Sequence, residues 1–133
     1  MLDHNLAIMN KISDKLKSDN VKKVLFLGPT PHWNQYLPKI IAGKLWENTP
    51  KRTNIGLTQK VIFDNAKLKK AFIDDEHQKF INLIDFFCNQ QGCLTYIGND
   101  KKIGLTSYDY GHLTPIASEY LAKELLVPII LAN

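Results

Sequence analysis

Val24-Leu25-Phe26-Leu27 is a run of four apolar residues closed by Gly28-Pro29. An unbroken apolar run bounded by turn formers describes a strand covered on both faces, the kind a parallel sheet contains. Upstream, Leu2, Leu6, Met9, Ile12 and Leu16 recur at steps of three and four behind Asp3 as a cap, which predicts an amphipathic helix over residues 3–18. Ser18-Asp19-Asn20 ends it. Helix, short turn and buried strand are the cadence of an α/β protein.

Downstream, Thr30-Pro31-His32-Trp33 makes a stiff loop, because Pro29 and Pro31 fix φ and donate no hydrogen bond. Pro38 opens a helix expected to reach Trp46, with Ile40, Ile41 and Leu45 inward and Trp46 in the core. Residues 47–58 read as loop. Val61-Ile62-Phe63 fits a short strand or the start of a helix reaching Phe72, and Asp74 to Lys79 is expected to be helical. Phe80-Ile81-Asn82-Leu83-Ile84 reads as the second core strand. Leu94-Thr95-Tyr96 and Leu105-Thr106 are expected to pair around the Gly98-Asn99-Asp100 turn. A last helix starts with Thr114 as cap and Pro115 in the first position, carries Ile116, Tyr120, Leu121 and Leu125 as its stripe, and is expected to end before Val127-Pro128.

A chain of 133 residues has room for one core, so residues 1–133 are expected to form a single domain. With 44% hydrophobic and 23% charged residues it is neither disordered nor low in complexity. No apolar run approaches the ~20 residues needed to span a bilayer, and Asp3 and His4 interrupt any leader near the start. The net charge of +4 comes from scattered lysines. No recognition helix, zinc-finger spacing or aromatic RNA-binding signature accompanies it, so no nucleic-acid partner is expected. A P-loop and a Gly-x-Gly-x-x-Gly turn are both missing, which argues against a nucleotide fold.

The residues best suited to chemistry lie in Ser107-Tyr108-Asp109-Tyr110-Gly111-His112-Leu113-Thr114. An acid and an imidazole three residues apart, on a loop entering a helix, allow the carboxylate to accept from one ring nitrogen while the other faces a substrate. That arrangement fixes the tautomer and stabilises the imidazolium formed during acyl transfer. The competing reading of the same spacing is that Asp109 caps a turn and His112 is a surface histidine. Cys88 and Cys93 enclose Asn-Gln-Gln-Gly and are either bridged or free thiols. As a metal site they fall short of the about four ligands required, so no metal is expected. His32 and Trp33 follow the carboxyl end of the first strand, where open α/β sheets bind ligands; they are either the wall of a pocket, or Trp33 packs on the sheet and His32 is solvated. Tyr110 either offers an aromatic face for stacking or belongs to core and rim.

Phe80 to Cys88, Gly92-Cys93-Leu94-Thr95, Tyr108 to Thr114 and Ser118 to Ala122 together closely resemble the end of SGNH (GDSL-like) hydrolase domains. The likeness is best to those fused to, or working beside, membrane acyltransferases that O-acylate cell-surface polysaccharides. Gly28 to Trp33 with Leu37-Pro38 resembles the loop after a middle strand of that family. The resemblance implies a flavodoxin-like three-layer α/β fold with a parallel sheet and a Ser-His-Asp site that needs no cofactor. Asp109 and His112 match the family's Asp-x-x-His block, as orienting acid and general base. Cys88 and Cys93 match its cysteine pair, which implies a disulfide in an exported domain.

The departures are equally informative. The Gly-Asp-Ser nucleophile block and the Gly-x-Asn-Asp block are not found in the sequence, and Gly98-Asn99-Asp100 lacks the intervening residue and reads as a turn. Ser107 adjoins the Asp-x-x-His loop without a nucleophile elbow. The chain is therefore expected to be the C-terminal part of such a domain, short of its N-terminal strands. The expected function is transfer or hydrolysis of a small acyl group, acetyl above all, on a carbohydrate hydroxyl. Its expected partners are the acylated carbohydrate or acyl donor, the N-terminal segment or membrane acyltransferase domain that completes it, and a second copy of the chain. A periplasmic location follows if it belongs to a full membrane acyltransferase. The catalytic reading also asks that His112 face an open cleft. The alternative is a non-catalytic α/β binding or assembly module.

Overall fold

The computed structural model describes residues 2–132. In chain order the first elements are α1 (Leu2–Ser18), β1 (Val24–Leu27) and α2 (Leu37–Ile40), which runs on as a π-helical turn over Ile41–Leu45. They are followed by β2 (Arg52–Thr53), α3 (Gln59–Ala71), β3 (Gln78–Ile81), α4 (Leu83–Phe87), β4 (Cys88–Asn89) and β5 (Gly92–Leu94). The last are α5 (Lys101–Gly104), α6 (Pro115–Leu121), a π-helical turn over Ala122–Leu126, and α7 (Val127–Leu131). These residues fall into two compact units. The first runs to Pro29 and resumes over Gln59–Ile84, and the second takes Thr30–Thr58 and everything from Asp85.

In the first unit β1 and β3 pair in parallel from Val24↔Gln78 to Leu27↔Ile81, and the Gly28 N–H extends the ladder to the Ile81 carbonyl at 2.8 Å. Val24, Phe72, Phe80 and Ile81 are buried there. Phe72 stands edge-on to Phe26, with ring centres 5.6 Å apart, and tilts against Phe80. The parallel strand expected at residues 24–27 thus forms, but it is not covered on both faces. Leu27 is 48% exposed, and β3 is the one hydrogen-bonded neighbour of β1 among the described residues.

Val61-Ile62-Phe63 belongs to helix α3. The helix expected over residues 74–79 does not form. Asp75 Oδ1 accepts from the His77 and Gln78 amides at 2.7 and 2.8 Å, and Asp74 Oδ1 accepts from the Phe80 amide at 2.9 Å. Carboxylates that take backbone donors in this way compete with helix and favour a turn. They hold Asp75 below the usual carboxylate range, the Gln78 amide contributing most. His77 therefore lies in a turn, and its ring is 3.0 Å from the Lys22 carbonyl and 3.1 Å from that of Ser13. The second strand starts two residues early and stops at Ile81, so Leu83 and Ile84 are buried on α4 instead.

The second unit contains an antiparallel sheet in the order β2-β5-β4, with Thr53↔Cys93 and Cys88↔Cys93 in register. Cys88 and Cys93 are joined as a disulfide across that pair, their Cα atoms 3.9 Å apart. Gly92 closes the hairpin at φ +113°, and a Cβ there would lie 2.2 Å from the Thr53 carbonyl carbon, so only glycine fits. The segment read as loop thus contributes strand β2. The Tyr96–Leu105 pairing forms as a single antiparallel bridge.

Trp46 is not core. It is 46% exposed beneath the Lys101 ammonium, 4.3 Å from the ring centre, at the end of a turn whose Ala42, Gly43 and Lys44 are exposed as well. The final helix passes through Val127-Pro128 rather than ending before it. Proline has no N–H and crowds the carbonyl four residues back. The turn just ahead widens to π geometry, with the Val127 N–H reaching the Ala122 carbonyl, and the chain stays helical.

Candidate active site

The Asp-x-x-His loop is pinched at its base by an antiparallel bridge between Ser107 and Leu113, and the Thr114 amide donates to the Thr106 carbonyl at 3.0 Å. Thr114 caps α6, accepting from the Ala117 amide at 3.2 Å while its hydroxyl donates to the Leu105 carbonyl at 2.6 Å. Between these anchors the chain folds around one carboxylate. Asp109 Oδ1 accepts from the Gly111 and His112 amides, both at 2.8 Å. Asp109 Oδ2 lies 2.6 Å from His112 Nδ1. One carboxylate oxygen thus caps the turn while the other pairs with the imidazole.

The Gly111 amide, then the His112 ring and its amide, hold the Asp109 carboxyl far below the ordinary range. It is an anion at any physiological pH. With Nδ1 facing that anion, the contact favours the tautomer that carries its proton on Nδ1 and leaves Nε2 as the acceptor. Nε2 makes no hydrogen bond among the described residues. The His112 side chain is 95% exposed and that of Asp109 36%. The ring thus stands above its carboxylate in solvent, rather than facing the open cleft that the catalytic reading asks for.

Ser107 is 2% exposed, and its hydroxyl is occupied by Asp109: Oγ accepts from the Asp109 amide at 3.2 Å and lies 3.2 Å from Oδ1 and 3.1 Å from the Asp109 carbonyl. It braces the loop. Of the other serines, Ser13 is buried on α1, Ser18 donates to the Lys15 carbonyl, and Ser118 lies on α6. None bonds to His112.

The loop after β1 is hydrogen-bonded to the Asp-x-x-His loop. The Trp33 amide donates to the Tyr110 carbonyl at 2.7 Å, Thr30 Oγ1 to the Gly111 carbonyl at 2.7 Å, and the Leu37 amide to the Asp109 carbonyl at 3.2 Å. His32 is exposed with its ring directly on Gly111. Tyr110 is 52% exposed, consistent with a stacking face. Trp33 is different: at 3% exposure it packs beneath the loop, beside a cavity of about 10 Å³, and offers no face to a ligand. Sequence reasoning missed Tyr36, whose ring meets Tyr110 edge-on at 4.7 Å. No local pattern marks that residue, since a tertiary contact brings it there. Among the described residues no three or more of His, Cys, Asp and Glu gather to hold a metal, and no helix is long and apolar enough to cross a membrane.

The fold and the loop define a mixed α/β domain with an aspartate–histidine pair of the kind acyl-transfer and esterase sites use. Residues 5–126 match the family model described as "SGNH domain (fused to AT3 domains)". The chain belongs to that family. It is also similar to the solved periplasmic domain of a lipopolysaccharide acetyltransferase from Salmonella ser. Paratyphi A, at 27% identity and a TM-score of 0.77. That match covers 96% of this chain and 51% of the other, so the chain spans about half the length of that structure. Comparison with curated proteins finds no match.

Proposed function

We propose that this chain supplies the acid–base half of an extracytoplasmic O-acyltransferase or esterase site acting on a carbohydrate hydroxyl, beside a membrane acyltransferase domain. The observation that carries the proposal is the 2.6 Å contact from His112 Nδ1 to Asp109, with Nε2 left open. His112 is the general base and Asp109 the orienting acid. A serine from polypeptide outside this chain is the nucleophile, and that same polypeptide walls the imidazole. Family membership and the likeness to a periplasmic acetyltransferase domain favour acetyl as the group moved.

In this reading the serine hydroxyl gives its proton to His112 Nε2 as its oxygen attacks the acyl carbonyl. Asp109 stabilises the resulting imidazolium through Nδ1–H. The tetrahedral intermediate collapses, the leaving alkoxide takes the proton from Nε2–H, and the acyl-serine remains. A carbohydrate hydroxyl or water then repeats the sequence in reverse. His32 and Tyr110 border the acceptor, and Trp33 supports the loop from below.

The test is acyl transfer by the full-length protein. His112→Ala is expected to lower turnover by about 10⁴-fold or more with the fold intact by circular dichroism. Wild-type turnover in that variant would remove the assignment. A second reading, a binding module without activity of its own, is favoured by Ser107 being buried and engaged. It predicts no change in acylation for His112→Ala and no labelling of the full-length protein by a serine-directed fluorophosphonate.

A further inference from the structure

Next to the Asp109–His112 loop lies a cavity of about 270 Å³ with a consistent chemistry. Its lining includes the side-chain amides Asn34 and Gln35, the ammonium groups Lys39 and Lys44, and the aliphatic Ile40 and Ile55; no carboxylate lines it. Neither lysine has an acidic partner among the described residues, unlike Lys15, Lys60 and Lys123, each held by a carboxylate four residues away. Ile40 is 6% exposed and Ile55 44%, which gives the cavity an apolar floor and rim.

The position is set by the loop itself. The Leu37 amide is bonded to the Asp109 carbonyl, and Tyr36, 51% exposed, meets Tyr110 edge-on, so the start of helix α2 is tied to the Asp109–His112 loop. Lys39 lies on its first turn, and Lys44 about 10 Å along the axis from Leu37. Beyond Lys44 the surface continues into a second cavity of about 380 Å³, bordered by Trp46, Glu47 and Asn48 and sharing Gly43 and Lys44 with the first.

We propose that the first cavity is an acceptor subsite for a carboxylate-bearing sugar unit. Paired amides donate to and accept from vicinal hydroxyls, an aliphatic floor accepts the apolar face of a pyranose, and Tyr36 and Tyr110 offer aromatic faces to the adjoining unit. Lys39 and Lys44 hold the carboxylate by charge-assisted hydrogen bonds. The volume lies just under the ~300 Å³ of the smallest ligand pockets, which suits one ring rather than a chain. The second cavity, with Trp46 for stacking and Glu47 opposing a further anion, takes a neutral unit of the same polymer. The subsite names the acceptor class for the acyl-transfer reading and rests on it.

The test is an NMR titration of the ¹⁵N-labelled chain with trigalacturonate, maltotriose and inorganic phosphate at one ionic strength. Trigalacturonate is expected to give saturable shifts at Asn34, Gln35, Gly43 and Lys44, at least tenfold tighter than maltotriose. Lys39→Gln and Lys44→Gln should each weaken it by about tenfold, the value of one charge-assisted contact. Equal binding of maltotriose would overturn the charge selection. The same shifts with phosphate alone would overturn the sugar. No saturable shift with trigalacturonate would overturn the subsite. In the full-length protein Lys44→Gln should raise KM for a uronate-containing acceptor without lowering kcat, whereas His112→Ala should abolish kcat and leave trigalacturonate binding unchanged. Binding without any effect of His112→Ala on turnover would sink the catalytic reading alone; loss of turnover without binding would sink the subsite alone.

Discussion

The imidazole of His32 lies so close over Gly111 that a Cβ there would stand 2.2 Å from His32 Cδ2 and 2.8 Å from Nε2. A larger residue in place of this glycine would therefore have to displace an exposed side chain 79 positions earlier in the sequence, while the turn's own dihedrals make no such demand. Through this contact the two loops set each other's positions.

Gly111→Ala is expected to push His32 away or to lift the loop, at a cost of about 1–3 kcal/mol, typical of overpacking. His32→Ala in the same chain should recover most of that loss, because the offending atoms are in the ring. Thermal denaturation of the single and double variants checks this; a double variant no more stable than Gly111→Ala would place the clash elsewhere.

Asp109 has its carboxyl lowered in the folded chain, chiefly by the Gly111 amide and the His112 ring. A group depressed on folding contributes stability above its unfolded value of 3.8, and that contribution is lost as pH falls through the folded value. Asp109→Asn should accordingly be less stable than wild type at neutral pH, with the gap closing below 3.8. Urea unfolding at several pH values measures it. A gap that widens in acid would contradict the hydrogen-bond pattern.

Ser107 holds the Asp109 amide from a buried position. As a brace rather than a nucleophile, Ser107→Ala should cost about 1–2 kcal/mol of stability. It should lower turnover of the full-length protein by roughly tenfold, against the 10⁴-fold or more expected of a lost nucleophile. Fluorophosphonate labelling should survive the substitution.

The Cys88–Cys93 bridge closes a short loop across β4 and β5. On the chain-entropy view its removal should cost about 2 kcal/mol. Cys88→Ser with Cys93→Ser should melt lower yet keep its far-ultraviolet spectrum, because β2 still pairs with β5 through Arg52↔Leu94.

Much of this architecture was legible locally. Four apolar residues before Gly28-Pro29 sufficed for β1, and Thr114-Pro115 for the start of α6, because strand burial and helix capping act over a few residues. The Asp109–His112 pairing was legible for the same reason: three residues in a turn bring the two groups within reach of each other. Errors arose where a local signal met a competitor. Residues 74–79 resemble helix until Asp74 and Asp75 capture backbone amides, and Val127-Pro128 resembles a stop until a π turn absorbs the proline.

What the amino-acid order determined by itself was the α/β cadence, family membership and an aspartate able to orient His112, all consequences of spacing along one short stretch. Only the tertiary structure decided that Trp33 is packing, that Tyr36 joins Tyr110, and that Lys39 and Lys44 border a cavity free of carboxylates. Those relations join segments tens of residues apart in sequence. They are set by which surfaces pack and which hydrogen bonds close across the fold, and periodicity and spacing carry no information about either.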